Sequence, residues 1–206
     1  MVHKTNETRR EGKSISTLEI DMGEKDKEIS MLKGMLRTKD MEIDRLRKLV
    51  DIDQMTGAGN RRMFDLMAKE IRDIGRRHMH DSKHTMMFSI VVVDLDNLKG
   101  VNDAGGHVAG DEIICKSAAV LQDAMREGDR VCRTGGDEFY IIIADSGRNA
   151  AEKAIGRAMK ILESNGISAS YGIASLEEFD INEENVIGKM VKSADERMYE
   201  NKRAKR

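Results

Sequence analysis

Two glycines and two carboxylates stand side by side at residues 135–138, and an apolar run follows them directly. Residues 129–134 and 138–144 can form opposing strands, which would place these four residues at the tip of a β-hairpin. The glycines have no Cβ atom, so a bulky ligand such as a nucleotide can approach the main chain there. Asp137 offers the hard oxygen ligands that Mg²⁺ prefers. As an isolated pattern, these four residues would more often form an ordinary polar turn.

A second acidic segment follows a predicted strand. The continuous apolar run from Met86 to Val93 predicts a buried strand, which ends in Asp94-Leu95-Asp96. If this strand neighbours the hairpin, Asp94 and Asp137 can converge on a divalent cation. Such an ion would polarise the α-phosphate of a nucleoside triphosphate and stabilise departing pyrophosphate. A lone Asp-x-Asp at a strand end could instead cap a turn or a helix, but the paired motif favours the metal site.

The residues from Asp94 to Asp111 follow a family pattern without a gap: Asp-x-Asp, then Lys, Asn-Asp, Gly-His and Gly-Asp at fixed spacings. Together with residues 135–139 and the turn segment at 53–62, this stretch resembles the GGDEF family of diguanylate cyclases. Enzymes of that family make cyclic di-GMP from two molecules of GTP. The sequence departs from the family at Leu98 and Gly105, where aromatic residues are common, and at Met55 and Ala58, where leucines are usual.

The resemblance implies a metal and catalytic set at the ends of these strands. Asp94 and Asp137 would bind Mg²⁺, with Mn²⁺ as an alternative, and the Leu95 carbonyl would assist them. Glu138 would either help to bind the metal or deprotonate the attacking 3′-hydroxyl, and both roles stay open. Lys99 would contact a phosphate and belongs to the same catalytic set.

Two residues are expected to select guanine. The base needs a donor for its O6 atom or acceptors for N1–H and the amino group, and Asn102 and Asp111 offer such groups. The family uses the matching positions for guanine. Adenine would leave the Asp111 carboxylate unpaired, which favours GTP over ATP. Asp111 also suits the first turn of a helix, where negative charge is favourable, and the two interpretations are compatible.

Phosphate binding is expected at both ends of the domain. Main-chain N–H groups around Asn97 and Leu98, at the start of a short helical turn, suit an anion. The segment Ala194–Lys202 resembles the family's C-terminal tail, and Lys202 and Arg206 lie four residues apart on one helix face. The resemblance places basic phosphate contacts at these two positions, although a basic last turn could simply complement the helix dipole. The predicted substrate-binding residues also include Gly135 and Gly136.

A second ligand site is suggested by Arg126-Glu127-Gly128-Asp129. Many family members have an inhibitory Arg-x-x-Asp site, which binds the product cyclic di-GMP, at this distance before the two glycines. Arginine forks suit phosphate and guanine edges. Arg-x-x-Asp alone is commonplace at helix ends, so the spacing supports this prediction. A further arginine, Arg148 or Arg157, cannot be chosen from the sequence.

Composition narrows the function classes. Of the 206 residues 35% are charged, and the net charge of −2 gives no argument for nucleic-acid binding. No apolar run is long enough for membrane insertion, and the N-terminus lacks a signal-peptide core, so we expect a cytoplasmic protein. Cys115 and Cys132 lack metal-site spacing and are expected to be reduced and structural.

Residues 1–52 contain a heptad pattern ahead of the domain. The pattern favours a parallel two-stranded coiled coil that holds two copies of the domain side by side as a homodimer. A single amphipathic helix packed on the domain is the alternative. The a positions are Ile15, Met22, Ile29, Leu36, Ile43 and Val50, and the d positions are Leu18, Lys25, Leu32, Lys39, Leu46 and Asp53.

Hydrophobic periodicity predicts the order helix, strand, helix, hairpin, helix, strand, helix in the domain, residues 53–206. This order favours an α/β sandwich of the α+β type, with helices over a mostly antiparallel sheet. The GGDEF family has this organisation, and its sheet resembles the palm of nucleotide polymerases and adenylyl cyclases. Asn182 is expected to cap the last helix, whose buried face would begin at Ile187. The other predicted bounds are helices at 60–77, 106–125 and 148–165, the last stopped by Gly166, and a strand at 167–176.

The sequence therefore predicts a diguanylate cyclase that condenses two GTP at the interface of a homodimer, with product inhibition. One alternative is a catalytically weak module that binds cyclic di-GMP or GTP and regulates a partner. Another is a coiled-coil scaffold whose globular domain only docks partners, without any dependence on GTP.

Overall fold

The computed structural model describes residue 25 and residues 27–43, 51–78 and 87–205. The chain divides into two compact units between Val50 and Asp51. Among the helices in these ranges, none is both long and apolar enough to cross a membrane.

In the N-terminal unit, residues 27–43 form one helix, α1. Its apolar seam is exposed on the single chain, since Ile29, Leu32, Leu36 and Ile43 each keep between 44% and 62% of their surface accessible. The helix agrees with the heptad pattern, whereas the pairing of two such helices stays a prediction. The seam positions 15, 18, 22, 46 and 50 lie outside the described residues.

The second unit begins with a two-residue strand that was not predicted, and the elements after it follow the predicted order. Its helices are α2 (Arg61–His78), α3 (Leu98–Ala124), α4 (Arg148–Ser164) and α5 (Val186–Ala204). Its strands are β1 (Gly59–Asn60), β2 (Phe88–Leu95), β3 (Arg130–Arg133), β4 (Glu138–Ala144) and β5 (Ala169–Ser175), and a 3₁₀ turn follows at Leu176–Glu178.

The strands form one sheet in the order β1-β3-β4-β2-β5. Only the short β1 pairs in parallel, with β3, and every other pairing is antiparallel among the described strands. This confirms the predicted mixed fold with a mostly antiparallel sheet. The hairpin of β3 and β4 lies directly beside β2, and Asp94 near the end of β2 pairs with Glu138 at the start of β4.

Helices cover both faces of the sheet, which explains the unbroken apolar run of β2. Its side chains alternate: Val91 and Val93 pack in a cluster with α3 and α4, whereas Ile90 and Val92 pack in a cluster with α2 and α5. The sequence cannot show this alternation, because every position of the strand is apolar. Both clusters are fully buried at their centres.

The predicted start of the last helix was wrong. Asn182 lies in a turn before the helix, where its main-chain and side-chain N–H groups donate to Asp180 Oδ1. Helix α5 begins at Val186, and its buried face consists of Val186, Met190, Ala194 and Met198. Ile187 is only partly buried, because the true face begins one residue earlier than expected.

The predicted division of α3 is confirmed. The short helical turn expected at Asn97 and Leu98 leads directly into the helix expected from Gly106, and Gly106 breaks the helical path between them with a positive φ of 77°. Beyond this break, Ile114 rather than Ile113 is the buried isoleucine, together with Ala118 and Leu121. The strand β5 is shorter than expected at both ends, while Gly166 has the positive φ of 73° expected after α4.

Helix α5 approaches β5 very closely at Gly172. A Cβ atom at this position would lie 2.1 Å from the Ala194 oxygen and 2.4 Å from the Met198 nitrogen. Both are main-chain atoms of α5, so no side-chain rotation can relieve the clash. The absence of a side chain at Gly172 therefore sets the distance between the last helix and the sheet.

Gly172→Ala should therefore lower the free energy of unfolding by about 1–3 kcal/mol, because α5 must move away from the sheet. Urea denaturation followed by circular dichroism measures this change. Gly156→Ala is the matched control: Gly156 lies inside α4 with open space around it, so alanine should stabilise by about 0.5–1 kcal/mol. Equal effects of the two substitutions would contradict the close-contact explanation.

Candidate active site

One arginine side chain, that of Arg133, donates hydrogen bonds to the tip of the hairpin. Arg133 at the end of β3 donates to the Gly136 carbonyl through Nε (3.2 Å) and Nη2 (2.8 Å). Its Nη1 donates to the Asp53 carboxylate at 3.3 Å. The predicted hairpin is thus confirmed, and its two glycines are exposed at the tip. The guanidinium ties this tip to the first turn of the globular unit.

Asp53 is held by hydrogen bonds from Thr56 as well as by its contact with Arg133. Its Oδ1 accepts from the Thr56 N–H at 3.0 Å and from the Thr56 hydroxyl at 2.7 Å. Burial alone would raise the pKa of Asp53, but the hydrogen bonds from Thr56 and Arg133 leave it below its usual value. No role for Arg133 was predicted from the sequence. Its place two residues before the glycines was visible, but its partner lies 80 residues earlier.

Three carboxylates meet where β2 ends and β4 begins. The Leu95 N–H donates to the Asp137 carbonyl at 3.1 Å, which brings Asp137 beside Asp94, and Glu138 pairs with Asp94 across the strands. Burial raises the pKa of Asp94, and the negative charge of Asp137 adds to this effect. Burial and the charges of Asp94 and Asp137 likewise raise the pKa of Glu138. The site concentrates negative charge that a cation would offset.

Lys202 of α5 supplies one such cation. Its ammonium forms an ion pair with Asp94 Oδ1, and the side chains keep only 25% and 13% of their surface exposed. The sequence prediction placed Lys202 on a phosphate and Asp94 on a metal, and the structure brings the two residues together. The neighbouring Asp96 is held separately, since it accepts from the hydroxyls of Ser168 at 2.6 Å and Ser170 at 2.9 Å.

The donor set fits a divalent cation that also binds a ligand. Within the described residues, no three His, Cys, Asp or Glu side chains form a complete metal cluster. Asp94 and Asp137 supply two carboxylates from adjacent strands, and Mg²⁺ commonly takes one or two carboxylates and fills its shell with substrate phosphates and water. The ammonium of Lys202 pairs with one oxygen of Asp94, so this carboxylate is accessible to a positively charged group.

The break at Gly106 brings the predicted guanine residues together. In a straight helix, positions 102 and 110 would lie about 12 Å apart along the axis. Here a Cβ atom at Gly110 would lie 2.0 Å from Asn102 Oδ1, so the amide lies directly against Gly110 and next to Asp111. Asn102 is half-buried, whereas Asp111 and Lys99 are exposed.

The first turn of α3, where phosphate binding was predicted, begins without a side-chain cap. Asn97 adopts a left-handed conformation with φ 58° and makes no side-chain cap, so the N–H groups that follow are not covered by it. The Asn97 amide instead lies over Gly100, where a Cβ atom would clash at 2.5 Å. Leu98 packs against the core below α3 and α4. Its aliphatic side chain thus anchors this turn.

Residues 50–206 match the family model described as diguanylate cyclase, GGDEF domain. The chain belongs to this family. The probable diguanylate cyclase DgcC of Escherichia coli (strain K12) is 35% identical over 119 residues, which cover 58% of this chain and 30% of that protein. The chain thus spans less than a third of the length of this curated relative.

Two solved structures have the same fold, each with a TM-score of 0.70. Diguanylate cyclase SiaD of Pseudomonas aeruginosa, solved with its activator SiaC, is 22% identical and matches 97% of this chain and 76% of its own. The coiled coil and GGDEF domain of Caulobacter crescentus DgcB, solved with c-di-GMP, is 19% identical and matches 88% of this chain and 95% of its own. These likenesses show the fold alone.

The Arg-x-x-Asp segment of the GGDEF domain closes the turn between α3 and β3. The Asp129 carboxylate is 6% exposed and accepts from the N–H groups of Arg126 at 2.9 Å and Ala144 at 3.2 Å. Arg126 itself is exposed at the end of α3. Of the two candidate partners, Arg157 donates to Ala124 at that same end (3.5 Å), whereas Arg148 pairs with acids elsewhere.

Arg206 lies outside the described residues. Cys115 and Cys132 are both free thiols, and burial raises the pKa of Cys132 to about 12. At neutral pH Cys132 is therefore protonated and a poor nucleophile, as expected of a structural cysteine.

Glu138→Gln should raise the melting temperature of the metal-free GGDEF domain at pH 7.5. The raised pKa means that the ionised Glu138 destabilises the folded state above its pKa, and this penalty disappears as the pH falls and the group takes up its proton. The two proteins should therefore converge below about pH 4. Thermal scans in EDTA across pH test this, with the exposed Glu70→Gln as control. A lower melting temperature for Glu138→Gln at pH 7.5 would contradict it.

Proposed function

We propose that this chain is a diguanylate cyclase, which condenses two GTP into cyclic di-GMP and two pyrophosphates. The observation that supports this most strongly is the meeting of Asp94, Asp137 and Glu138 with Lys202 beneath a hairpin tip of exposed glycines. The carboxylates can bind a divalent cation, and the lysine can bind the phosphates of a nucleoside triphosphate. The chain belongs to the GGDEF family.

GGDEF diguanylate cyclases generally depend on a divalent metal. We assign Mg²⁺, with Mn²⁺ as the alternative, to Asp94 and Asp137, assisted by the Leu95 carbonyl. When bound, the ion neutralises phosphate charge and polarises the α-phosphate. Asp94 would then hold the ion, and Lys202 would be available to bind the triphosphate, together with Lys99, Arg206 and the amides at Asn97 and Leu98. Gly135 and Gly136 let the nucleotide approach the main chain.

Glu138 is assigned to the proton of the attacking 3′-hydroxyl. A carboxylate with a raised pKa is a stronger base than an ordinary one, so it accepts a proton more readily near neutral pH. Two of the acids that raise the pKa of Glu138, Asp94 and Asp137, are the proposed metal ligands, and Glu138 pairs with Asp94 across the strands. Its second possible role, as a further metal ligand, uses the same position.

Guanine selection is assigned to Asn102 and Asp111. The Asn102 amide lies against Gly110 and is therefore fixed beside Asp111, because no Cβ atom separates them. The Asp111 carboxylate is exposed and can accept from N1–H and the amino group of guanine. Adenine has no such donor pair, so the carboxylate would lose its partners.

Catalysis needs two domains, because each binds one GTP and the product joins two. The exposed seam of α1, with Ile29, Leu32, Leu36 and Ile43, supports pairing through a parallel coiled coil. Such a coil would hold two domains at a high local concentration. Cyclic di-GMP is proposed to inhibit by binding Arg126 and Arg157 at the end of α3, while the buried Asp129 holds that turn in shape.

Incubation of the chain with GTP and Mg²⁺, followed by mass spectrometry, should yield cyclic di-GMP and pyrophosphate. Asp137→Asn should lower the rate by at least about 100-fold, since even indirect support of a metal contributes 10–100-fold. Binding of cyclic di-GMP, measured by calorimetry, should persist in this variant. Asp123→Asn, an exposed change on α3, serves as control. Absence of cyclic di-GMP from the wild-type reaction would refute the enzymatic assignment and favour a binding module.

Arg126→Ala should weaken product inhibition by about tenfold or more, because a hydrogen bond from a charged donor is lost. Initial rates at increasing cyclic di-GMP measure the inhibition constant, and the rate without added product should stay unchanged. Arg77→Ala, which removes an exposed arginine from α2, is the control. Unaltered inhibition in Arg126→Ala would place the inhibitory site elsewhere.

A further inference from the structure

Strand β5 is an edge of the sheet, and α5 covers that edge with polar side chains. Three main-chain groups on the outer side of β5 have partners on the helix. Lys205 donates to the Ala169 carbonyl at 2.5 Å, and Arg197 donates to the Ile173 carbonyl at 2.5 Å. Between them, the Tyr171 N–H donates to Asn201 Oδ1 at 3.3 Å. We call Arg197, Asn201 and Lys205 the edge stripe.

The spacing of the edge stripe follows from the geometry of both elements. Four residues of an α-helix advance about 6.0 Å, and two residues of a strand advance about 6.6 Å. Positions 197, 201 and 205 can therefore meet positions 173, 171 and 169 in turn, with the helix running opposite to the strand. A slip of α5 by one turn would break this pairing. The stripe fixes the register of α5 on the sheet, at the close distance that Gly172 permits.

The C-terminal end of the stripe is fastened a second time. Lys205 Nζ also lies 3.4 Å from Asp96 Oδ2, and Asp96 is held by the hydroxyls of Ser168 and Ser170. The side chain of Asp96 is 16% exposed and that of Lys205 is 42% exposed, so only the carboxylate end of this contact is shielded from water. Asp96 thus contacts Lys205 at the end of α5, the same helix whose Lys202 reaches Asp94.

Lys202 lies between Asn201 and Lys205 on the fastened turn, and its ammonium reaches Asp94. We propose that the edge stripe and Asp96 are positioning residues for Lys202: they hold the α5 backbone in register, so that only the lysine side chain moves between Asp94 and the substrate triphosphate. This inference rests on the proposed function, in which Lys202 binds GTP. A lysine stem has many rotamers, and a fixed backbone limits where its charge can go.

The edge stripe could have a purely structural purpose, since a free strand edge invites pairing with other chains. In that case its loss would change stability or aggregation, and GTP affinity would not depend on it. The positioning role predicts a different result. Substitutions in the stripe should weaken GTP binding only as long as Lys202 is present.

The test is a double-mutant cycle on binding of a non-hydrolysable GTP analogue with Mg²⁺, measured by equilibrium titration. Lys202→Met should weaken binding by about tenfold or more, the effect of a lost charged hydrogen bond. Asn201→Ala and Lys205→Met should each weaken binding severalfold in the wild-type background. In the Lys202→Met background, neither should weaken binding further. Lys205→Arg, which keeps the charge and the donor to Ala169, should restore affinity.

Two controls separate positioning from charge and folding. Lys192→Met removes the same charge from an exposed site on α5 and should leave affinity unchanged. Hydrogen exchange of the Tyr171 amide should accelerate in Asn201→Ala, which reports release of the edge independently of binding. Multiplicative losses in the double variants would overturn the inference, and so would accelerated exchange with unchanged affinity. An unaltered affinity in Lys202→Met would also overturn it, whereas cyclic di-GMP production by the wild-type chain decides the proposed function separately.

Discussion

Several acidic side chains lie close together where β2 ends and β4 begins, and the rest of the domain must offset their mutual repulsion. Asp94, Asp137 and Glu138 are brought together by strand pairing, so the fold forces like charges into a partly buried place. Water cannot screen them fully there, and the pKa of both Asp94 and Glu138 rises. A positive charge close to these acids is therefore stabilising, and Lys202 of α5 supplies it through its ion pair with Asp94.

Two aspartates only two residues apart illustrate how local contacts decide the outcome. Burial favours the neutral form of both Asp94 and Asp96. Hydrogen bonds from Ser168 and Ser170, together with Lys205, leave the pKa of Asp96 below its usual value. Asp94 has Lys202 but also faces acidic neighbours, and its pKa stays raised. The folded protein therefore stabilises the ionised form of Asp96. It does not stabilise the ionised form of Asp94 to the same extent, and a further positive charge near Asp94 would be favourable.

Local patterns in the sequence were sufficient for the architecture and for the family. The unbroken apolar run predicted β2, the hairpin followed from its turn residues, and the motif spacing placed the acids at neighbouring strand ends. The errors arose where a local signal competed with a tertiary one. Asn182 is a good capping residue by type, but its turn is closed by Asp180, and the buried face of α5 starts only at Val186.

Long-range side-chain contacts were beyond the sequence. Arg197, Asn201 and Lys205 are polar residues of the kind that usually face water on a helix, and nothing in their order indicates a strand edge beneath them. The same holds for Arg133 and Asp53, whose meeting depends on the placement of β1 beside β3. The break at Gly106 was different, because the sequence already predicted a helix that begins there after a short helical turn.

The ion pair between Lys202 and Asp94 spans 108 residues of sequence, and the bond from Arg133 to Asp53 spans 80. A ribosome makes Asp94, Asp137 and Glu138 long before it makes the lysine that accompanies them. During synthesis the three acids are therefore present before the lysine that pairs with Asp94. The compensating positive charge comes from one of the last residues that the ribosome adds to the domain.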